Sequence, residues 1–131
     1  MLHYFFTRRI VIKIECLDHL VLTVKDIETI CAFYRNVLGL HVIPSGKLAK
    51  PRAFGQQNIN LHQPGRELEP NANPPAAGSA DLCFITQTPL IGVLSYLCSC
   101  GIDIIEGSVH RTGASGVIES VYFRDPDLNL I

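Results

Sequence analysis

Apolar and polar positions change their spacing several times along the chain, and each change marks an element. Leu17–Val24 (LDHLVLTV) is an extended run of leucine and β-branched residues, which predicts a strand. Asp26 then suits a helix N-cap, with Glu28 in the electropositive first turn. Ile27, Ile30, Cys31, Tyr34 and Leu38 follow helical spacing, and Gly39 offers the left-handed residue on which such a helix stops. His41–Ile43 begins another strand, and Arg52–Gly55 and Asn58–His62 read as a short pair with Gln56 and Gln57 at the turn.

Residues 63–79 (QPGRELEPNANPPAAGS) hold four of the eight prolines and few apolar positions, the composition of a linker or long surface loop. The pattern then restarts. Ala80–Thr86 reads as a strand, Thr88 as an N-cap and Pro89 as the first helical residue, where a missing N–H costs nothing. Leu90, Val93, Leu94 and Leu97 supply the helix's apolar face, and Gly101 ends it. Ile102–Glu106 and Val117–Arg124 are further strands, and Asn129–Ile131 begins a last one. At a constant offset of about 62 residues the order strand, cap, helix, glycine, strand repeats. His19 falls on Asp81, Tyr34 on Tyr96 and Gly39 on Gly101. The expected fold is therefore α+β, with two paired βαβββ modules (15–62 and 80–131) joined by loop 63–79 and forming a curved mixed sheet around one cavity. Residues 1–14 precede this single domain as an extension.

A strand turns alternate side chains to opposite faces, so His19, Val21 and Thr23 share one face and Leu20, Leu22 and Val24 the other. The leucine face suits the module's own helix, which leaves the His19 face to look elsewhere. By the repeat, Asp81, Cys83 and Ile85 form the matching face of the second module, and Asn60 and His62 share a face of the fourth strand. Two curved sheets facing each other are expected to bring His19, His62 and Asp81 to one concavity. Two imidazoles and a carboxylate suit a divalent ion such as Zn, Ni, Mn or Fe(II), and leave positions open for water or substrate.

Charge and composition narrow the partners. The chain has 131 residues, is 47% apolar and carries a formal net charge of -1, with no dense basic run. Nucleic acid and an anionic membrane surface are therefore not expected as partners. The five cysteines, Cys16, Cys31, Cys83, Cys98 and Cys100, lack a framework spacing and read as reduced thiols of a cytoplasmic protein. Cys98 and Cys100 read as core packing rather than as a metal pair. The stretch MLHYFFTRRIVIKI places apolar residues ahead of Arg8 and Arg9, the reverse of a signal peptide, and is too short to span a bilayer.

LDHLVLTV, AFYRNVLGL (Ala32–Leu40), NINLH, SADLCF and YFRDPDLNLI (Tyr122–Ile131), taken together, resemble the vicinal oxygen chelate superfamily of glyoxalases, extradiol dioxygenases, fosfomycin-resistance transferases and bleomycin-binding proteins. The likeness covers residues 17–131 and is nearest to glyoxalase-domain proteins. It implies a first-strand metal ligand at His19 and a fourth-strand ligand at His62, with Asn60 as the other register. The fifth-strand ligand, usually His, is Asp81 here, and the family's fourth ligand, a Glu, would follow Ile131. It further implies a divalent-metal-dependent lyase or isomerase acting on a small substrate with vicinal oxygens. The alternative within the same family is a non-catalytic drug-binding protein with an apolar, aromatic-lined groove near Phe54, Tyr122 and Phe123. Homodimers are expected, either with one cavity in each chain or with the cavity built across the interface by exchanged modules.

Ser120, Tyr122 and Arg124 share a strand face and are candidate cavity residues. Tyr122 occupies the place from which a phenol reaches the ligand in the fosfomycin-resistance branch, and reads equally as a packed tyrosine. Arg124 would meet an anionic substrate, or form a salt bridge with Asp125 or Asp127. Arg111–Gly116 (RTGASG) reads as a flexible flap or a backbone-amide anion cradle. His110, His41 and His3 read as surface residues.

Overall fold

The computed structural model describes residues 12–45 and 48–131, with side chains outside 44–54. Its first half runs β1 (His19–Thr23), α1 (Ile27–Asn36), β2 (His41–Ser45), β3 (Leu48–Phe54) and β4 (Gln57–His62), in a four-stranded sheet ordered β1-β4-β3-β2. β1 lies parallel to β4, and β3 runs antiparallel to both β2 and β4. The parallel β1–β4 contact requires a crossover, which α1 and the hairpins supply. Asp26 caps α1 as its sequence predicts: the carboxylate accepts the backbone N–H of Thr29 at 2.8 Å and its hydroxyl at 2.6 Å. Gly39 and Gly101 both adopt left-handed backbone, at φ 69° and 73°, just beyond their helices.

The second half contains α2 (Leu90–Ser99) and an antiparallel hairpin of β5 (Glu106–Gly113) and β6 (Gly116–Tyr122). Several expectations are corrected here. Among the described residues Ala80–Thr86 forms no strand: Asp81 bridges to Leu130, in parallel, and Leu130 bridges to Arg124, antiparallel. This repeats the partner order β1-β4-β3 in short form: Leu130 donates to the Ala80 carbonyl and Leu82 to the Leu130 carbonyl, while Phe123 and Ile131 exchange backbone bonds. The strand expected at Ile102–Glu106 lies instead at β5, because residues 102–104 turn their isoleucines into the core while Glu106 pairs with Tyr122. Arg111–Gly116 is not a free loop: all but Ala114 and Ser115 belong to the hairpin strands. α2 starts one residue later than expected, with Pro89 at the cap and no side-chain cap bond from Thr88.

One apolar core joins the halves. Leu22, Val24, Ile30, Cys31, Tyr34, Ile59 and Leu61 of the first pack with Leu97, Phe123 and Ile131 of the second. Each fully buried side chain of this size contributes about 1.5–3 kcal/mol. Cys31 is buried, but Cys98 and Cys100 are exposed rather than core residues. The extension 1–11, with His3, lies outside the described residues.

Across the core runs a polar staple. Asp125, only 3% exposed, accepts the backbone N–H of Asp127 and of Asn129 on one oxygen, each at 2.9 Å. Its other oxygen accepts Asn129 Nδ2 at 2.8 Å and the Tyr34 hydroxyl at 3.1 Å. Asn129 Oδ1 in turn accepts the N–H of Ala80, and Asp127 Oδ2 accepts that of Lys25, both at 2.9 Å. Tyr34 and Asp125–Asn129 come from two of the segments that carry the family resemblance, and here they hold the two halves together. Burial, with the nearby Asp125 charge, pushes the Tyr34 phenol far above its usual value, so it stays protonated and donates.

Candidate functional site

The core-facing side chains leave two open faces. On the first sheet, the register pairs His19 with Asn58, Val21 with Asn60 and Thr23 with His62, so these six share the face turned away from α1. Leu20, Leu22, Ile59 and Leu61 turn to the core. His19 is about half exposed, Val21 is exposed and Asn60 half-buried, whereas His62 is 8% exposed.

The second face opens on a concavity of about 1000 Å³ between residues 81–86, α2 and the β5–β6 hairpin, with Val37–Leu40 at its edge. Asp81, Cys83, Ser120 and Tyr122 all line it. Arg111 lies there too, its guanidinium carbon 5.6 Å from the centre of the Tyr122 ring. A hydrogen-bonded ion pair with Glu106, at 2.9 Å, ties the guanidinium down and raises its affinity for the proton. Glu106 and Arg111 share a face because the register shifts between Gly107 and Val109, an irregularity that the sequence does not announce.

The expected metal triad is not assembled within one chain. Four residues of strand, about 13 Å, separate His19 from the register position of His62. Asn60 lies only two residues, about 7 Å, along the same strands, so the register favours it over His62 as a neighbour of His19. Asp81 lines the other concavity, which neither histidine reaches. No three His, Cys, Asp or Glu side chains gather among the described residues. Among the described residues, the donors of a single chain therefore do not gather to fit a metal ion.

Arg124 is corrected as well. Its guanidinium donates to the carbonyl oxygen of Leu128 at 2.9 Å rather than to a carboxylate, and it does not line the cavity. The oxygens of Asp125 are already taken by Tyr34, Asn129 and backbone donors. Phe123 is a buried core residue that also lines the concavity beside Tyr122, and Phe54's side chain lies outside those described. His110 and His41 are exposed, as read from the sequence.

Two residues were missed. Asp18, directly before β1, holds His19 Nδ1 at 2.7 Å, and Arg111 stands over Tyr122. An acidic residue beside a candidate ligand was a readable signal for the first, whereas nothing in the strand alternation foretold the second.

The family model for the Glyoxalase/Bleomycin resistance protein/Dioxygenase superfamily matches residues 16–89. The chain belongs to that superfamily. It is 54% identical over 118 residues to Virulence protein STM3117 of Salmonella typhimurium strain LT2, covering 90% of this chain and 82% of that protein. The crystal structure of that protein superposes with a TM-score of 0.88 over 92% of this chain and 95% of the other, at 52% identity. Glyoxalase domain-containing protein RDO1 of Mycosarcoma maydis is 46% identical over 120 residues, 92% of this chain and 68% of its own length. The crystal structure of a lactoylglutathione lyase from Agrobacterium tumefaciens is more distant, at 25% identity and a TM-score of 0.67 over 88% of this chain and 89% of the other. No helix among the described residues is long and apolar enough to cross a membrane.

Proposed function

We propose that this superfamily member is a glyoxalase-type, divalent-metal-dependent lyase or isomerase whose site is completed by two copies of the chain. The observation that carries the reading is the pair of open half-sites. His19 and Asn60 stand on one face, Asp81, Ser120 and Tyr122 on another, and one chain does not bring them together. Set against each other in a homodimer, an imidazole, an amide oxygen and a carboxylate have the donor chemistry for a borderline or hard divalent ion. Bound there, such an ion would polarise two neighbouring oxygens of a small substrate as a Lewis acid.

The chain's own residues have definable tasks. The Tyr122 hydroxyl and Ser120 offer donors to a substrate oxygen from a half-buried wall. Arg111, its guanidinium over the Tyr122 ring, would help to hold that ring in the wall. Cys83 and Ile85 edge the cavity and would exclude water once a second copy covers it.

The test is complementation. Chelator-stripped protein is titrated calorimetrically with Mn, Ni and Zn, beside His19→Ala and Asp81→Ala. Each variant alone is expected to lose binding, whereas an equimolar mixture should recover part of it, because mixed dimers retain one intact site. A wild-type protein that is monomeric, or binds none of the three ions, overturns the reading. Uptake of an apolar ligand without metal would then favour the drug-binding alternative.

A further inference from the structure

We infer that Asp18 is the positioning residue for His19, fixing its imidazole in the form that leaves Nε2 as a bare acceptor on the open face of β1. The inference rests on reading that face as half of the functional site. It stands on a contact that strand geometry does not supply by itself. Neighbouring side chains on an extended chain point to opposite faces. Here the His19 ring is nonetheless turned so that Nδ1, the nitrogen nearer the backbone, meets Asp18 Oδ2 at 2.7 Å.

The backbone that carries this carboxylate is also anchored. The backbone carbonyl of Asp18 accepts the N–H of Asn58 at 3.2 Å, which holds this residue against the start of β4 although its side chain is exposed. A carboxylate in its charged form can only accept, so Nδ1 must carry the hydrogen. Which imidazole nitrogen carries the hydrogen is set by the bond that the other one makes. Nε2 is then left with its lone pair, on the strand face that His19 shares by register with Asn58, Val21 and Asn60. That lone pair is what a metal ligand, a proton acceptor or a hydrogen-bond acceptor on this face must present. Without Asp18 the neutral ring would be free to carry its hydrogen on Nε2 and would offer a donor instead.

The full chain, labelled with ¹⁵N, is examined by two-bond ¹H–¹⁵N correlation at about pH 8, where an ordinary imidazole is neutral. His19→Ala identifies the signals. Wild-type His19 is expected as the Nδ1–H form. Asp18→Ala should move it towards Nε2–H, and Asp18→Asn, whose amide oxygen also accepts, should restore it. A wild-type ring already in the Nε2–H form, or no change in Asp18→Ala, overturns the inference. Metal titration without substrate is the second readout. Asp18→Ala is expected to lose about 10- to 100-fold in affinity with an unchanged circular dichroism spectrum. If the wild type binds no metal, the metalloenzyme reading fails, and the tautomer result still decides the role of Asp18. If the wild type binds and Asp18→Ala binds equally well, the inference fails and the metal reading survives.

Discussion

Asp125 shows how a buried carboxylate is tolerated: four donors converge on its two oxygens, from Tyr34, Asn129 twice and Asp127. Tyr34→Phe removes one of them and should cost about 1–3 kcal/mol in urea denaturation, with little change in the spectrum of the folded state. Asp125→Ala strands all four donors and should cost more. The same staple predicts a pH dependence. Folding raises the Tyr34 phenol above its ordinary value of 10.0, so the protonated form is the one the fold favours. That contribution is complete below pH 10 and is lost as the pH climbs above it. Thermal melts across the alkaline range should therefore fall more steeply for wild type than for Tyr34→Phe. At this scale the motif residues were legible as a resemblance, but their roles were not. Tyr34 and Asp125 are 91 positions apart, and only the packed structure puts one hydroxyl on one carboxylate.

Among elements, the N-cap and the helix-ending glycines were readable because each acts within one turn of chain. Asp26, Gly39 and Gly101 need no distant partner to set their conformation. The Thr29 bonds hold the Asp26 carboxyl below its ordinary 3.8, so the cap's contribution is present above that pH and fades as the pH drops below it. Asp26→Asn should flatten that acid limb in melts followed by circular dichroism. Glycines that look alike locally are told apart by what lies nearby. Gly39 and Gly78 share left-handed backbone, at φ 69° and 75°. A Cβ on Gly39 meets nothing within 4 Å, whereas one on Gly78 would stand 2.5 Å from the Asp127 carbonyl oxygen. Gly78→Ala should thus lose clearly more stability than Gly39→Ala, whose cost is about 1 kcal/mol of backbone strain. The strand at 80–86 was misread because alternation reports faces. It does not report how regularly the neighbouring backbone pairs, which at Asp81 is a bridge to Leu130.

For the molecule as a whole, the two halves share one core, so they should unfold together. Leu97→Ala, in the second half, is expected to cost about 2–5 kcal/mol and to leave calorimetric unfolding as a single transition. Two separated transitions would show that the halves are independent. The alternation of His19 with Leu20, the apolar stripe of α1 and the spacing of the repeat were determined by the sequence alone. Each follows from the period of a strand or a helix, a property of a few adjacent residues. Which functional side chains meet was decided by tertiary structure. The β1–β4 register sets His62 four residues along from His19, and the helices and staple pack the halves so that Asp81 opens onto a different concavity. Register and packing are long-range choices made by the shared core, and no local periodicity encodes them.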